Sequence, residues 1–293
     1  MPNIFIIGNG FDLAHGINTS YGSFKTFLQK ESSSSKQPHV KSLIEIITRS
    51  TTDKDSWSDF ETALGKINYS LYQNNGKAQT NAVKLLKPFF KEWLVGIPLN
   101  EIQPIKKFRS LIDPHTDVFF TFNYTSTLEN LYEAKYVCHI HGETAGNIIF
   151  GHGNNDLPLC SKTAQQLHIS LRKDISIAVS NIAIFNNKYI FRKLTLHEQL
   201  RENRTTKNLL KQRAFLEQAK SSANTDMKCR SIFSIGFSYS EIDMVSIKHI
   251  SEFGVESGVG QWILDDFDSK NLTKYKTKIN TIFMGDIKSC TLL

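Results

Sequence analysis

Residues Ile4 to Gly16 read IFIIGNGFDLAHG, in which four apolar residues run into a Gly-Asn-Gly turn and an acidic residue follows. A short apolar run bounded by glycine favours a buried β-strand. Glycines at the end of such a strand let backbone N–H groups approach a phosphate. The stretch therefore predicts an α/β fold whose first strand leads into a candidate nucleotide-binding turn.

Six further segments share the apolar and β-branched content of the first. Most are apolar without alternation, which is typical of strands covered by helices on both faces of a mainly parallel sheet. We therefore predict a Rossmann-like α/β fold, with a mainly parallel sheet flanked by helices. The seven predicted strands are Asn3–Ile7, Asp117–Thr121, Tyr136–His141, Asn147–Phe150, Ser231–Ile235, Trp262–Asp265 and Ile279–Met284.

Apolar residues at helical spacing fill the two long gaps between predicted strands. Ser58 and Glu61 have the spacing of a capping box, and Pro88 is predicted to kink or break a helix. We predict a single composite domain over residues 1–293, with a helical insertion at about 31–111 and a second, basic helical insertion at about 161–228.

The composition is that of an ordinary globular protein, with 40% hydrophobic and 22% charged residues among 293. No apolar run approaches the roughly 18 residues that span a bilayer, and the first residues lack the features of a secretory signal. The four cysteines are scattered, which argues against a cysteine-based zinc site and fits a reducing compartment. We therefore expect a cytoplasmic protein without membrane contact.

The net charge of +7 is concentrated in one segment, since residues 186–230 carry 11 lysines and arginines against 4 acidic residues. Such a segment can contact nucleic acid. It is also typical of a solvated helical face, and the scarcity of aromatic residues for base stacking favours that interpretation.

Parallel sheets bind ligands at the carboxyl ends of their strands, so the turn after each strand matters most. The first turn departs from the dinucleotide fingerprint, because Leu13 stands where the third glycine belongs. Asp12 either orients a ribose or caps the following helix. The candidate nucleotide-binding residues of this turn are Gly8, Asn9, Gly10, Phe11 and Asp12.

Two later turns add polar groups at the same predicted edge. Asn123 follows the second predicted strand, and capping of the next helix explains the hydroxyl groups around it but not Asn123 itself. After the fifth predicted strand, Gly236 allows a ligand to come close. Ser238 and Glu241 in that turn have the spacing of a capping box.

Histidines gather after the third and fourth predicted strands. His139 and His141 are alternate strand residues, so their imidazoles are predicted to share one face. With His152 and Asp156 they form a candidate zinc or manganese site, because neutral imidazoles and carboxylates suit both metals. Three histidines at neighbouring strand ends favour a functional site over separate core residues.

Together, these motifs resemble the AbiH family of bacterial phage abortive-infection proteins, and the resemblance covers nearly the whole chain. The order of its turns is also similar to the sirtuin-like NAD-binding architecture. The motifs that carry the resemblance are IFIIGNGFDLAHG from Ile4, TSYGSF from Thr19, WSDFE from Trp57, FFTFNYTSTLE from Phe119, HIHGE from His139 and FGHG from Phe150.

The sirtuin-like resemblance implies a role for each turn. His141 would be the catalytic base, and Asn123 would position water or the nicotinamide ribose. The Gly8–Gly10 turn would hold the pyrophosphate, and Gly236 with Ser238 would close over the nucleotide.

Further residues complete the predicted site. Thr121 begins the Thr-x-Asn turn, while Phe11 and Tyr124 would wall a nicotinamide pocket. The chain departs from the sirtuin pattern at Asn9 and Phe11 and lacks the four-cysteine zinc module. These departures argue against protein deacetylation and suit relatives that hydrolyse NAD.

Three hypotheses follow. The first is an anti-phage effector that hydrolyses the nicotinamide–ribose bond of NAD and needs no other cofactor. The second is a metal-dependent phosphoesterase or nuclease that uses the histidine cluster, and the third is a non-catalytic nucleotide sensor. Because an unrestrained NADase would harm its host, we also expect a gate, either a homo-oligomer or an operon-encoded partner protein.

Overall fold

In the computed structural model of the chain, residues 1–34, 41, 61, 64–65, 85–99, 101–157, 162–198, 229–266 and 269–293 are described. Within these ranges, six strands form one sheet in which every neighbouring pair is parallel. The strands are β1 (Ile4–Ile7), β2 (Val118–Thr121), β3 (Tyr136–His139), β4 (Ile232–Ile235), β5 (Gln261–Asp265) and β6 (Asp286–Cys290).

The strand order is β3-β2-β1-β4-β5-β6, which is the order of a Rossmann fold. The direction of progression reverses between β1 and β4, and such a reversal is where these sheets open a crevice for ligands. The predicted α/β Rossmann-like fold is therefore confirmed. The helices are α1 (Asn9–Ala14), α2 (Tyr21–Ser34), α3 (Leu86–Val95), α4 (Lys106–Leu111), α5 (Thr127–Tyr132), α6 (Lys162–Ser170), α7 (Ile175–Glu198), α8 (Met244–Glu256) and α9 (Leu272–Asn280).

The central strands are buried on both faces, which explains their unbroken apolar sequences. Every residue of β1, β2 and β4 is buried. On one face Phe5 stacks between Phe119 and Phe233, with ring centroids 5.1 and 5.0 Å away. Ile4 and Ile6 pack into a separate cluster on the other face. Helices therefore cover the sheet from both sides.

The backbone pairing of β1 and β4 continues beyond the ends of the two strands. Gly8 N donates to Ile235 O at 3.0 Å, and Gly10 N donates to Gly236 O at 2.9 Å. Gly236 has a φ of +59°, and a Cβ there would overlap the backbone nitrogen of Phe11. Glycine is thus required where the turn after β4 meets the turn after β1.

The predicted strand Asn147–Phe150 is wrong, because this segment is an irregular loop of which only Ile149 and Phe150 are buried. Ile149 N donates to His141 O at 2.8 Å, and Ile149 O accepts from the Tyr124 hydroxyl at 3.0 Å. Ile149 and Phe150 pack into two different hydrophobic clusters. The run is apolar because the loop joins those clusters.

The predicted strand Ile279–Met284 is also wrong. Ile279 and Phe283 are four residues apart, so both reach one core cluster from the end of α9 and the turn after it. The true last strand, β6, is an edge strand with mostly exposed residues, and it lacks the apolar content that strand prediction relied on. The third predicted strand ends early, at His139.

The helical predictions are confirmed in part. Helices α2 and α3 lie in the first of the two gaps where helices are predicted, and Pro88 lies in the first turn of α3, where a missing N–H costs no hydrogen bond. Ser58 and most of the basic segment 186–230 lie outside the described residues, so the domain count and the bounds of both insertions stay predictions. None of the described helices combines the length and the apolar character that crossing a bilayer requires.

Candidate functional site

A histidine and a carboxylate meet at the carboxyl edge of the sheet. His141 follows β3, and Asp243 ends the loop between β4 and α8. His141 Nε2 lies 3.1 Å from Asp243 Oδ1, and the two residues are 4% and 9% exposed. The ring N–H direction misses this oxygen, so Nε2 has no aligned hydrogen bond within the described part of the chain. The contact is a close polar approach without the alignment of a hydrogen bond.

A buried lysine adds a positive charge to this pair. Lys173 Nζ lies 3.2 Å from Asp243 Oδ1 and 3.0 Å from Glu61 Oε2, while Glu61 Oε1 accepts from Gly151 N at 3.1 Å. Burial alone would lower the pKa of Lys173, but the two carboxylates outweigh burial and raise it. We call Glu61, Lys173, Asp243 and His141 the charged quartet.

Asp243 remains ionised although it is buried. Burial acts to raise the pKa of its carboxyl, but Lys173 and His141 outweigh burial and hold the pKa below its ordinary range. A buried carboxylate that keeps its charge can orient an imidazole and stabilise its protonated form. The pair therefore has the chemical capacity for proton transfer.

Aromatic rings enclose the imidazole of His141. Phe122 meets it edge to face, with ring centroids 5.1 Å apart, and the Tyr124 ring lies 6.0 Å away. Phe237, from the turn after β4, packs on Phe122 at 4.4 Å. The three rings reduce the access of water to the quartet, which strengthens its electrostatic interactions.

Asn123 lies between Phe122 and Tyr124 and is held by three contacts. Its side-chain Nδ2 donates to Gly8 O at 3.0 Å, and its backbone nitrogen donates to Thr121 Oγ1 at 3.1 Å. Its carbonyl oxygen lies 3.1 Å from His139 Nδ1. The structure thus joins the Asn123 side chain to the glycine turn, and the chain neighbours of Asn123 are two of the rings that pack on His141.

The glycine turn itself is tightly packed. Besides the amides of Gly8 and Gly10, Phe11 N donates within the protein, to Gly8 O at 3.0 Å. Phe11 is fully buried among Phe108 and Tyr132. Three backbone N–H groups that could have faced a phosphate therefore have protein partners. The predicted roles of this turn in nucleotide binding stay predictions.

Asp12 connects the turns after β1 and β2. Its two carboxylate oxygens accept from Thr125 Oγ1 at 2.6 Å and from Thr127 Oγ1 at 2.9 Å. The predicted helix cap is wrong, because the N-cap of α1 is Gly8 and Asp12 lies inside the helix. Burial raises the pKa of Asp12 from 3.8 to about 6, although the two threonine hydroxyls act in the opposite direction.

This raised pKa predicts a pH dependence of stability. Between pH 3.8 and about 6 the native carboxyl keeps its proton while the unfolded one loses it, so the free energy of unfolding should fall as the pH rises. A shift of this size corresponds to about 3 kcal/mol. Asp12→Asn removes the titrating group. In urea unfolding, the free energy of unfolding of the variant should therefore rise relative to that of wild type by up to about 3 kcal/mol between pH 4 and 7.

Thr125→Val provides the matched comparison for Asp12→Asn. It keeps the carboxyl but removes a hydrogen bond that favours the charged form, so stability should fall more steeply with pH than in wild type. A constant difference between Asp12→Asn and wild type across this pH range would contradict the prediction.

His139 and His141 contact different parts of the structure, so the prediction that they share a face is wrong. The strand ends at His139 and the chain turns before Gly142, which has a φ of +78°. His139 Nε2 lies 2.8 Å from Glu129 Oε1 on α5. Burial acts to lower the pKa of His139, but Glu129 outweighs burial and raises it.

The other two candidate metal ligands also lie apart. His152 packs on His168 with ring centroids 4.3 Å apart, and its Nε2 donates to the His168 carbonyl oxygen at 3.0 Å. Burial lowers the pKa of His152 to about 4. Asp156 is exposed. In the ranges that the structure covers, no three His, Cys, Asp or Glu side chains are arranged to hold a metal ion.

The turn after β4 holds the remaining predicted residues. Gly236 packs on the glycine turn, and Ser238 is exposed. The predicted capping box of Ser238 and Glu241 is wrong, because α8 begins only at Met244. Glu241 instead pairs with a lysine of α9.

Sequence reasoning missed most of the charged quartet. Glu61 belongs to the WSDFE motif, where its spacing from Ser58 predicts a helix cap, and Asp243 ends the polar turn after β4. Lys173 lies between α6 and α7 with no motif around it. Only the rule that a buried charge needs a partner could have drawn attention to these residues, and burial is not visible in the sequence.

A cavity of about 440 Å³ is lined by residues close in the chain to Asp243 and Lys173, although no member of the quartet lines it. One wall is apolar, with Ile175, Ile242 and Val245, and the other includes His152 and Asn154. Ile242 precedes Asp243 in the chain, and His152 O accepts from Lys173 N at 2.7 Å. A space of this size, with an apolar wall and a few polar groups, is typical of a small-molecule site.

The comparisons with known proteins agree with the family resemblance. The family described as Bacteriophage abortive infection AbiH matches residues 4–84 and 68–255, which include all four members of the charged quartet. No curated protein and no solved structure matches the chain. The family match extends over most of the chain, and the chain belongs to the AbiH family of bacteriophage abortive infection proteins.

Proposed function

We propose that this AbiH family member binds NAD, or a closely related nucleotide, and hydrolyses its nicotinamide–ribose bond during abortive infection. The observation that carries the proposal is the buried His141–Asp243 contact, which lies, as Asn123 does, at the carboxyl edge of a sheet with Rossmann strand order. Sheets of this order bind nucleotides at that edge. The similarity to sirtuin-like proteins supports the choice of NAD.

The reaction consumes one water molecule. The bond between nicotinamide and C1′ of the ribose breaks, and nicotinamide leaves with the bonding electron pair as a neutral molecule. Positive charge builds on the ribose, as in glycoside hydrolysis, and water attacks C1′. His141 accepts a proton from this water, Asp243 stabilises the imidazolium that results, and ADP-ribose and a proton are released.

In this scheme Asn123 positions water or a ribose hydroxyl. Its backbone and side chain are fixed by three contacts, so its amide can hold water or a ribose hydroxyl without first losing conformational freedom. The rings of Phe122 and Tyr124 supply the apolar surroundings that a nicotinamide group needs.

Purified protein incubated with NAD should release free nicotinamide, measured by chromatography. His141→Ala should lower kcat by about 100-fold or more, since general base catalysis contributes at least that factor. His115→Ala is the control, because His115 is exposed in the turn before β2, at the opposite edge of the sheet. It should keep wild-type turnover.

The same variants should be compared in phage-infected cells, where a trigger absent from the purified sample is present. NAD should fall in cells with wild-type protein and not in cells with His141→Ala. The proposal fails if neither assay separates the two proteins. Binding of NAD without any release of nicotinamide would favour the sensor hypothesis.

A further inference from the structure

Lys173 is buried far beyond what a lysine ordinarily tolerates. It is 3% exposed, and its ammonium contacts two carboxylates that are also largely buried, those of Glu61 and Asp243. A buried ion is costly unless it is paired and hydrogen-bonded, so this arrangement needs a reason beyond stability. The proposed chemistry uses Asp243 and His141 but not Lys173 or Glu61.

One oxygen atom connects the two halves of the quartet. Asp243 Oδ1 lies 3.1 Å from His141 Nε2 and 3.2 Å from Lys173 Nζ. The position of this oxygen, and with it the position of the imidazole, therefore depends on where the lysine holds its ammonium group.

Lys173 is itself fixed by contacts at both its side chain and its backbone. Its Nζ donates to Glu61 Oε2 at 3.0 Å, and its backbone nitrogen donates to His152 O at 2.7 Å. Glu61 is fixed at its other oxygen by Gly151 N. A continuous chain of contacts thus runs from Glu61 to His141.

We propose that Glu61 and Lys173 are positioning residues that fix the Asp243 carboxylate against His141 and so orient the imidazole for catalysis. The inference rests on the proposed role of His141. Glu61 comes from the predicted insertion at about 31–111, so this region of the chain contributes directly to the geometry of the site.

Glu61→Gln is the informative variant, because glutamine keeps the shape and an oxygen for Gly151 N but loses the charge. The Lys173 ammonium is then attracted by one carboxylate only and should move toward Asp243. In full-length protein labelled with ¹⁵N-histidine and held at fixed pH, the ring signals of His141 should shift. Asp243→Asn should shift the same signals, and the spectrum of His141→Ala identifies them.

Glu241→Gln is the matched control, because this glutamate lies in the same loop as Asp243 but its side chain is exposed. It should leave the His141 signals in place. Unchanged His141 signals in Glu61→Gln and Asp243→Asn, with lowered melting temperatures, would overturn the inference and leave the quartet a purely structural feature.

The spectrum needs no substrate, so it tests the inference even if NAD proves not to be hydrolysed. If wild-type protein releases nicotinamide, Glu61→Gln should lower kcat about tenfold and leave KM within about twofold, as expected for a misplaced catalytic group. A rise in KM at unchanged kcat would assign Glu61 to substrate binding and contradict the positioning role.

Discussion

Gly236→Ala should destabilise the protein by about 4 kcal/mol or more, a cost in the exceptional range for a single substitution. Two effects add at this position. The φ of +59° is unfavourable for any residue with a Cβ, and that Cβ would overlap Phe11 N and lie 2.7 Å from Gly10 Cα. Backbone cannot swing aside as a flexible side chain would, so the turns after β1 and β4 must separate.

Gly16→Ala isolates the first of these effects. Gly16 has a φ of +75° but open space around it, so alanine there should cost only about 1–2 kcal/mol of conformational strain. Urea unfolding of both variants gives the comparison. If the two substitutions lowered the free energy of unfolding equally, the turns after β1 and β4 would be able to move apart without cost. That result would contradict the close packing described above.

Lys173→Met should cost about 3–5 kcal/mol, because removing one partner of a buried ion pair leaves uncompensated charge in the interior. Here the substitution leaves two buried carboxylates without their cation. They are those of Glu61 and Asp243, which contact the ammonium at 3.0 and 3.2 Å. Chemical unfolding at pH 7 measures the effect directly.

Two further variants test whether the loss of stability comes from the buried charge. Lys278→Met removes a lysine that pairs with the 82% exposed Glu241 and donates to Tyr239 O at 2.7 Å, and the loss should be about 1–2 kcal/mol. Adding Glu61→Gln and Asp243→Asn to Lys173→Met removes the stranded charges and should recover most of the lost stability. A triple variant as unstable as Lys173→Met would mean that packing around the lysine, and not charge, causes the effect.

The central sheet could be predicted because burial on two faces leaves a direct trace in the sequence. β1, β2 and β4 are apolar at nearly every position, and each was found close to its true bounds. β6 could not be found in the same way. It lies at the edge of the sheet, and its sequence Asp-Ile-Lys-Ser-Cys is polar because most of it faces solvent.

The site was predictable to the extent that it follows strand ends. Asn123 and His141 could be named as candidates because each lies two residues after the end of a strand, and the structure joins one to Gly8 and the other to Asp243. Lys173 and Glu61 reach the site from segments outside the sheet. Their meeting across 112 positions depends on how those segments pack, which no local pattern encodes.

The wide spacing of the charged quartet has a consequence for synthesis. Its members stand at positions 61, 141, 173 and 243, so the quartet draws on residues from most of the chain. A nascent polypeptide still short of Asp243 lacks the carboxylate that meets the imidazole, and so does any product that terminates before this residue. Under the proposed activity, the ribosome-bound chain is harmless to the NAD pool until Asp243 has been synthesised.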